Sequence, residues 1–293
     1  MPELPDITVY CEAVSRRTMG KPINRIRILN PFFLRTFDPS ISDVEGQTVT
    51  AVKRVGKRVC LGTTNDLWLV IHLMIAGRFQ WKPPGTKLGS SYFLAAFDFE
   101  HGSLVVTEAG SKRLASLHVV RGESGLAALD PGGLEPFSIT VDQFAAALRK
   151  GNRAVKRMLT DPKIFSGIGN SYSDEILHRA RMSPNLVGKK MTDEQINVLF
   201  SAMRVVLTEW TDRLRQEAGD GFPEKVTAFR KEMAVHGKWN QPCPVCATPV
   251  QRIRYANNET NYCPTCQTDG KLFADRAMSR LLKQDRPKHV DEL

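Results

Sequence analysis

The sequence predicts an α+β chain: a β-rich N-terminal domain behind one leading helix, a helical second half, and a cysteine-pinned hairpin near the C-terminus. Three observations predict it. Residues 25–107 hold short runs rich in valine, isoleucine and phenylalanine, broken by turn residues. Residues 141–217 carry apolar side chains at helical spacing. Four of the six cysteines sit in two Cys-x-x-Cys pairs.

The leading helix is expected over residues 5–19, opened by Pro5 and stopped by Gly20, with Ile7, Tyr10, Val14 and Thr18 at helical intervals. Strands are expected around Ile26 and Ile28, over 48–61 with a break at Gly56, over 67–73, 92–99 and 104–107, the last two joined by Glu100-His101-Gly102. Residues 121–136 contain four glycines and two prolines and read as a linker. Helices follow over 141–150, capped by Thr140 or Asp142, then over 153–159, 173–181 and 193–217. These patterns divide the chain into an N-terminal domain (1–120), the linker (121–136), a helical domain (137–240), a cysteine module (241–270) and a basic extension (271–293), read as a packed helix and a solvated tail.

The chain has 293 residues, 42% hydrophobic and 25% charged, which suits globular domains. The net charge of +10 favours a polyanionic partner through phosphate contacts and counterion release. No run is long enough to span a bilayer and none resembles a signal peptide, so a cytoplasmic protein without a membrane partner is expected. Cys11 and Cys60 lie in apolar contexts and read as buried thiols.

Cys243-Pro-Val-Cys246 and Cys263-Pro-Thr-Cys266 enclose sixteen residues, within the window for a four-cysteine zinc site. Each pair puts two thiolates on one turn, and two such turns close a tetrahedron without an open position. One structural Zn2+ is expected. Between the pairs, residues 250–255 alternate as a strand, with Arg252 and Arg254 on one face, and Asn257-Asn258 supplies the turn.

The opening Met1-Pro2-Glu3-Leu4-Pro5-Asp6 carries potential chemistry. Removal of Met1 leaves the secondary amine of Pro2, a nucleophile able to form an iminium with a sugar carbon. The helix that follows points its positive end at this amine, which disfavours the ammonium. Glu3 stands beside it as a proton donor. Taken alone, most Met-Pro starts are only starts.

This opening, together with Asp161-Pro-Lys-Ile-Phe-Ser-Gly-Ile-Gly-Asn-Ser-Tyr-Ser-Asp-Glu-Ile-Leu177 and the cysteine module in that order, resembles the formamidopyrimidine-DNA glycosylase/endonuclease VIII family over roughly residues 1–267. The resemblance implies a β-sandwich N-terminal domain, a helix–two-turn–helix in the second, and a zinc-ribbon hairpin. It implies a bacterial, nucleoid-associated, monomeric base-excision-repair DNA glycosylase with abasic-site lyase activity, acting on damaged DNA. Pro2 matches the family's nucleophile, Glu3 the acid acting on the sugar, and Lys57 the catalytic lysine between two strands. His72, Lys156, Gly169 and Asn170 match DNA-facing positions. From Lys150 to Arg181 there are seven Lys or Arg against three Asp or Glu, which supports that reading.

The chain also departs from the family. Asn258 stands where a phosphate-gripping arginine that serves δ-elimination is usual, so the resemblance implies β-elimination and leaves δ-elimination open, with Arg252 and Arg254 as the available substitutes. The residues that fill the gap left by a flipped base are altered. Ile75 stands at the usual methionine position with Met74 next to it, while Lys112 and Leu114 replace an arginine and a phenylalanine, with Arg113 left for phosphate. That loop is about two residues longer. Ser91-Tyr-Phe-Leu94 replaces a usual His-Asp-His segment. Residues 219–236, the region that caps the lesion in the family, are shortened, so no particular damaged base is expected. A damaged-DNA-binding paralogue without chemistry is the alternative. A zinc-ribbon transcription factor accounts for the cysteines and the charge but not for the opening.

Overall fold

The computed structural model describes residues 1–89, 91–110, 112–224, 226–227, 229–255, 258–273 and 287–292. The chain divides into two compact units. The first comprises Met1–Pro131 with Trp210–Thr227, the second Gly132–Glu209 with Ala228–Leu293.

The first unit opens with helix α1 (Leu4–Thr18). Strands β1 (Arg25–Ile28), β2 (Val49–Val55), β3 (Arg58–Thr63), β4 (Leu67–His72), β5 (Gly77–Lys82), β6 (Phe93–Phe99), β7 (Gly102–Glu108) and β8 (Ser116–Arg121) follow. They form two antiparallel four-stranded sheets, ordered β1-β6-β7-β5 and β2-β3-β4-β8. Alternation decides which faces meet. Val59, Leu61, Leu69, Ile71, Leu117 and Val119 from one sheet pack with Phe79, Leu94, Phe97, Leu104 and Val106 from the other, and α1 adds Ile7, Tyr10 and Val14. The outer face of the second sheet carries Cys60, Trp68 and Val70 and is covered by Leu126.

That cover corrects one expectation. Residues 121–136 are not a plain linker: helix α2 (Gly122–Ala128) occupies its first half. Gly122 takes φ 67°, so the chain turns sharply out of β8 and lays Leu126 on the sheet. Strands β5 and β8 add to those that the sequence predicts; along β5, Phe79 and Trp81 alternate with polar residues. Gly62 sits opposite Trp68, and a Cβ there would lie 2.8 Å from the indole, so the strand needs glycine at that position.

The second unit carries α3 (Val141–Arg149), α4 (Val155–Leu159) and α5 (Asn170–Arg179). The long α6 (Asp193–Ala218) contributes its residues through Glu209 to this unit and the rest to the first. Thr140 caps α3 reciprocally with Gln143 (3.3 and 2.9 Å). The module ends in β9 (Gln251–Tyr255), β10 (Asn258–Tyr262) and α7 (Pro264–Thr268). The expected turn residue Asn257 and most of the 271–293 extension lie outside the described residues. No described helix is long and apolar enough to cross a membrane.

Candidate active site and nucleic-acid interface

In the first unit, Pro2 and Glu3 are buried where α1 begins. The Glu3 N–H donates to the Asp6 carboxylate (3.0 Å), which fixes the first turn. The amine of Met1, which precedes Pro2, titrates below its ordinary value of 8.0. Burial is the largest cause, Arg78 and Lys57 act in the same direction, and Glu3 and Asp6 oppose them. Lys57 occupies the two-residue turn between β2 and β3, behind Gly56 at φ 59°. Burial pushes its ammonium below the usual lysine range, against the pull of Glu3. The structure therefore brings Glu3 and Lys57 into the field of the terminal amine.

Arg78 is a residue that sequence reasoning misses. It anchors the neighbouring loop, donating from Nη1 to the carbonyls of Ile75 (3.1 Å) and Gly77 (2.6 Å) and from Nε to Val226. In that loop Met74 adopts φ 52°, and Ile75 is 64% exposed. Across it, Leu114 is 43% exposed and Lys112 and Arg113 are exposed. Buried Glu108 holds this second loop by accepting the N–H groups of Leu114 and Ala115, each at 3.1 Å. A carboxylate ending an otherwise apolar strand is the available signal for Glu108. His72 ends β4, opposite Arg58 and Ser116. Burial first, then Arg58, Lys57 and His118, lower it from 6.5 to about 4.

In the second unit, α4, two turns and α5 form the helix–two-turn–helix. Gly167 takes φ 77°, and Gly169 is the extended residue before α5. Lys156 corrects an expectation. Its side chain is buried, paired with Asp174 and donating to the Asn170 carbonyl (3.1 Å) and Ser173 Oγ (3.1 Å), so it braces α5 from inside instead of facing a ligand. Asp174 also holds His236 Nδ1 (2.8 Å). Glu175 accepts the backbone N–H groups of Ala234 (2.8 Å), Val235 (3.0 Å) and His236 (2.9 Å). Asn170 Nδ2 donates to the Glu259 carbonyl (2.7 Å), tying α5 to β10.

On the hairpin, Arg252 stacks over Trp239 at 3.5 Å and lies 3.6 Å from Glu259, while Arg254 pairs with Glu259 at 3.1 Å. Asn258 is exposed at the start of β10. The ligand atoms of Cys243, Cys246, Cys263 and Cys266 lie within 4.8 Å of one another. Cys246 and Cys263 are 3.3 Å apart and Cys243 and Cys266 4.0 Å, bracketing the ~3.8 Å edge of a tetrahedron with Zn–S bonds of about 2.3 Å. His178 Nε2 lies 3.3 Å from Cys243 Sγ, so the α5 helix meets the metal ligands directly. The donor set fits one structural zinc. Cys11 and Cys60 are buried free thiols pushed up to about 12 by burial.

Comparison with known proteins agrees with this arrangement. Residues 1–115 match the profile of the formamidopyrimidine-DNA glycosylase N-terminal domain, 131–215 that of the formamidopyrimidine-DNA glycosylase H2TH domain, and 240–268 that of the zinc finger found in FPG and IleRS. A formamidopyrimidine-DNA glycosylase of Chloroflexus aurantiacus is 30% identical, the match covering 91% of this chain and 98% of that one. An uncharacterized formamidopyrimidine-DNA glycosylase-like protein of Mycobacterium tuberculosis is 41% identical over 151 residues, 52% of this chain and 94% of that one. The Lactococcus lactis Fpg, solved in complex with DNA containing an abasic site, superposes with a TM-score of 0.81 at 22% identity, over 91% of this chain and 99% of that one. With the N-terminal domain, the helix–two-turn–helix and the four-cysteine zinc finger all matched, the chain belongs to the formamidopyrimidine-DNA glycosylase/endonuclease VIII family of DNA-repair glycosylases.

Proposed function

We infer that this protein excises a damaged base from DNA and then cuts the strand at the abasic site by β-elimination, with Pro2, freed of Met1, as nucleophile. The observation that carries the reading is the burial of Pro2 and Glu3 together at the start of α1, in surroundings where burial, Arg78 and Lys57 lower the amine of the preceding Met1. A neutral amine has the lone pair that attack requires.

The amine nitrogen bonds to C1′ as the C1′–base bond breaks, the base leaves with that bond's electron pair, and the proton shed by the nitrogen goes to the departing base, which restores the nitrogen lone pair. Glu3 then gives a proton to O4′ as the C1′–O4′ bond opens, and the nitrogen lone pair forms the iminium. Loss of a C2′ proton breaks the C3′–O bond and releases the 3′ phosphate. Lys57, its ammonium destabilised by burial, is suited to proton transfer at this site.

His72, Lys112, Arg113, Gly169, Asn170, Arg252, Arg254 and Asn258 are read as the DNA-binding set, with Met74, Ile75 and Leu114 filling the gap left by the flipped nucleotide. The exposed Ile75 and Leu114 suit that role. Lys156 supports α5 rather than touching DNA. The protein is read as a monomer working at bacterial DNA. Asn258 is uncharged, so δ-elimination is not assigned.

Single-turnover cleavage of end-labelled duplex carrying one abasic site tests this. Glu3→Gln is expected to slow cleavage by about 100-fold or more, the usual worth of a general acid. Wild-type cleavage by a variant lacking both Pro2 and Glu3 would sink the mechanism.

A further inference from the structure

The outer face of the β2-β3-β4-β8 sheet carries a group of cations to which the catalytic mechanism gives no role. Arg58 on β3 stands opposite His72 on β4, which stands opposite Ser116 on β8. His118 is two residues further along β8, opposite Val70, so alternation puts it on the same face. Leu126 and the apolar cluster of Cys60, Trp68 and Val70 fill the other end of this face. Arg35 enters beside β8, its backbone N–H donating to the Leu117 carbonyl (2.9 Å), and its side chain is exposed.

The charges that act on the two histidines are all positive. Burial lowers His118, and the charges that add to it are Arg58 and Arg35. His72 feels Arg58, Lys57 and His118 in the same direction. Asp130 acts on Arg58, opposing its desolvation. Among the described residues, no carboxylate forms an ion pair with Arg35, Arg58 or His118. Arg58 feels Asp130 as a counter-charge, and two guanidinium groups beside a neutral imidazole still favour an added anion.

His118 also has a polar atom to explain. Its Nδ1 is buried with no hydrogen-bond partner among the described residues. Unsatisfied buried donors are rarer than unsatisfied acceptors, so the proton belongs on Nε2, which then serves as a donor to a ligand. Two guanidinium forks and one imidazole N–H make a donor set matched to phosphate oxygens.

We propose that Arg35, Arg58 and His118 form a phosphate subsite, separate from the Lys57 and His72 positions, that holds one backbone phosphodiester of the bound DNA. The proposal rests on the DNA-binding reading of the protein. It assigns binding energy to three residues outside the chemistry.

The test is binding of the full-length, zinc-loaded protein to duplex containing a tetrahydrofuran abasic analogue, followed by fluorescence anisotropy across NaCl concentrations. Arg58→Gln and the pair Arg35→Gln/Arg58→Gln are expected to weaken binding and to flatten the plot of log affinity against log salt by about 0.9 for each phosphate no longer neutralised. Arg58→Lys keeps the charge and is expected to restore most of the slope, which separates the removal of a cation from damage to the fold. A scan of single uncharged methylphosphonates is expected to find one position that weakens wild type and leaves Arg58→Gln unchanged. An unchanged slope in both Gln variants, or no position that distinguishes them from wild type, overturns the subsite while leaving DNA binding standing. Failure of wild type to bind this duplex overturns both readings together.

Discussion

Lys156 carries its charge inside the protein, against an Asp174 that has no exposed side-chain surface. Removing the cation leaves that carboxylate buried, with His236 Nδ1 as its remaining side-chain partner among the described residues. Lys156→Met is therefore expected to destabilise the fold by about 3–5 kcal/mol, the range for breaking a buried pair from one side. Urea unfolding checks this, and a decrease under about 1 kcal/mol speaks against the bracing role. His72 makes a different prediction. Its pKa falls from 6.5 to about 4 on folding, so between those values the unfolded chain binds more protons than the folded one. Stability is thus expected to be full above pH 6.5 and to fall as pH drops toward 4. His72→Gln should flatten that part of the stability profile, and an unaltered slope in the variant removes His72 as its cause.

At the scale of elements, the β2–β3 turn sets where Lys57 stands. Gly56 takes φ 59°, which an L side chain adopts at a cost of roughly 1–2 kcal/mol. Gly56→Ala is expected to lower stability by about that amount and to slow abasic-site cleavage further than the lower stability explains, seen by comparing thermal melts with single-turnover rates. The zinc module behaves as a unit for another reason. Its ligand Cys243 touches His178 of α5, and Asn170 of the same helix holds β10. Chelating the metal, or Cys246→Ser, is expected to abolish DNA binding along with zinc content by atomic spectroscopy. Tight binding by the metal-free protein would show that the module is dispensable.

These elements also show what the sequence could disclose. The cysteine spacing, the helix start near Thr140 and the turn at Gly56 are local patterns, and each is found where its residues lead one to expect it, with Thr140 and not Asp142 as the cap. Helix α2 is hidden because its two glycines mimic a linker, and only the apolar face of β4 gives Leu126 a place to pack. Strand β8 is hidden because only Leu117 and Val119 mark its core face, too short an alternation to stand out from the loop before it and the glycines after it. Lys156 reads as a surface cation because its partner, Asp174, lies eighteen residues on. Arg78 and Glu108 act through backbone groups of loops, and no spacing rule announces such interactions.

For the whole molecule, the charge of +10 and the cations gathered about Lys57, His72, the hairpin and the outer sheet face point to phosphate-dominated binding. The proposed catalysis, however, depends on one covalent bond. Borohydride reduction of the protein on abasic-site duplex, with intact mass and peptide mapping of the product, traps that bond if it forms. The expected product is a stable adduct on Pro2 in a chain lacking Met1. Pro2→Gly should greatly reduce its yield. Tight binding to the same duplex with no adduct at any pH rules out the iminium mechanism and leaves a DNA-binding protein without this chemistry.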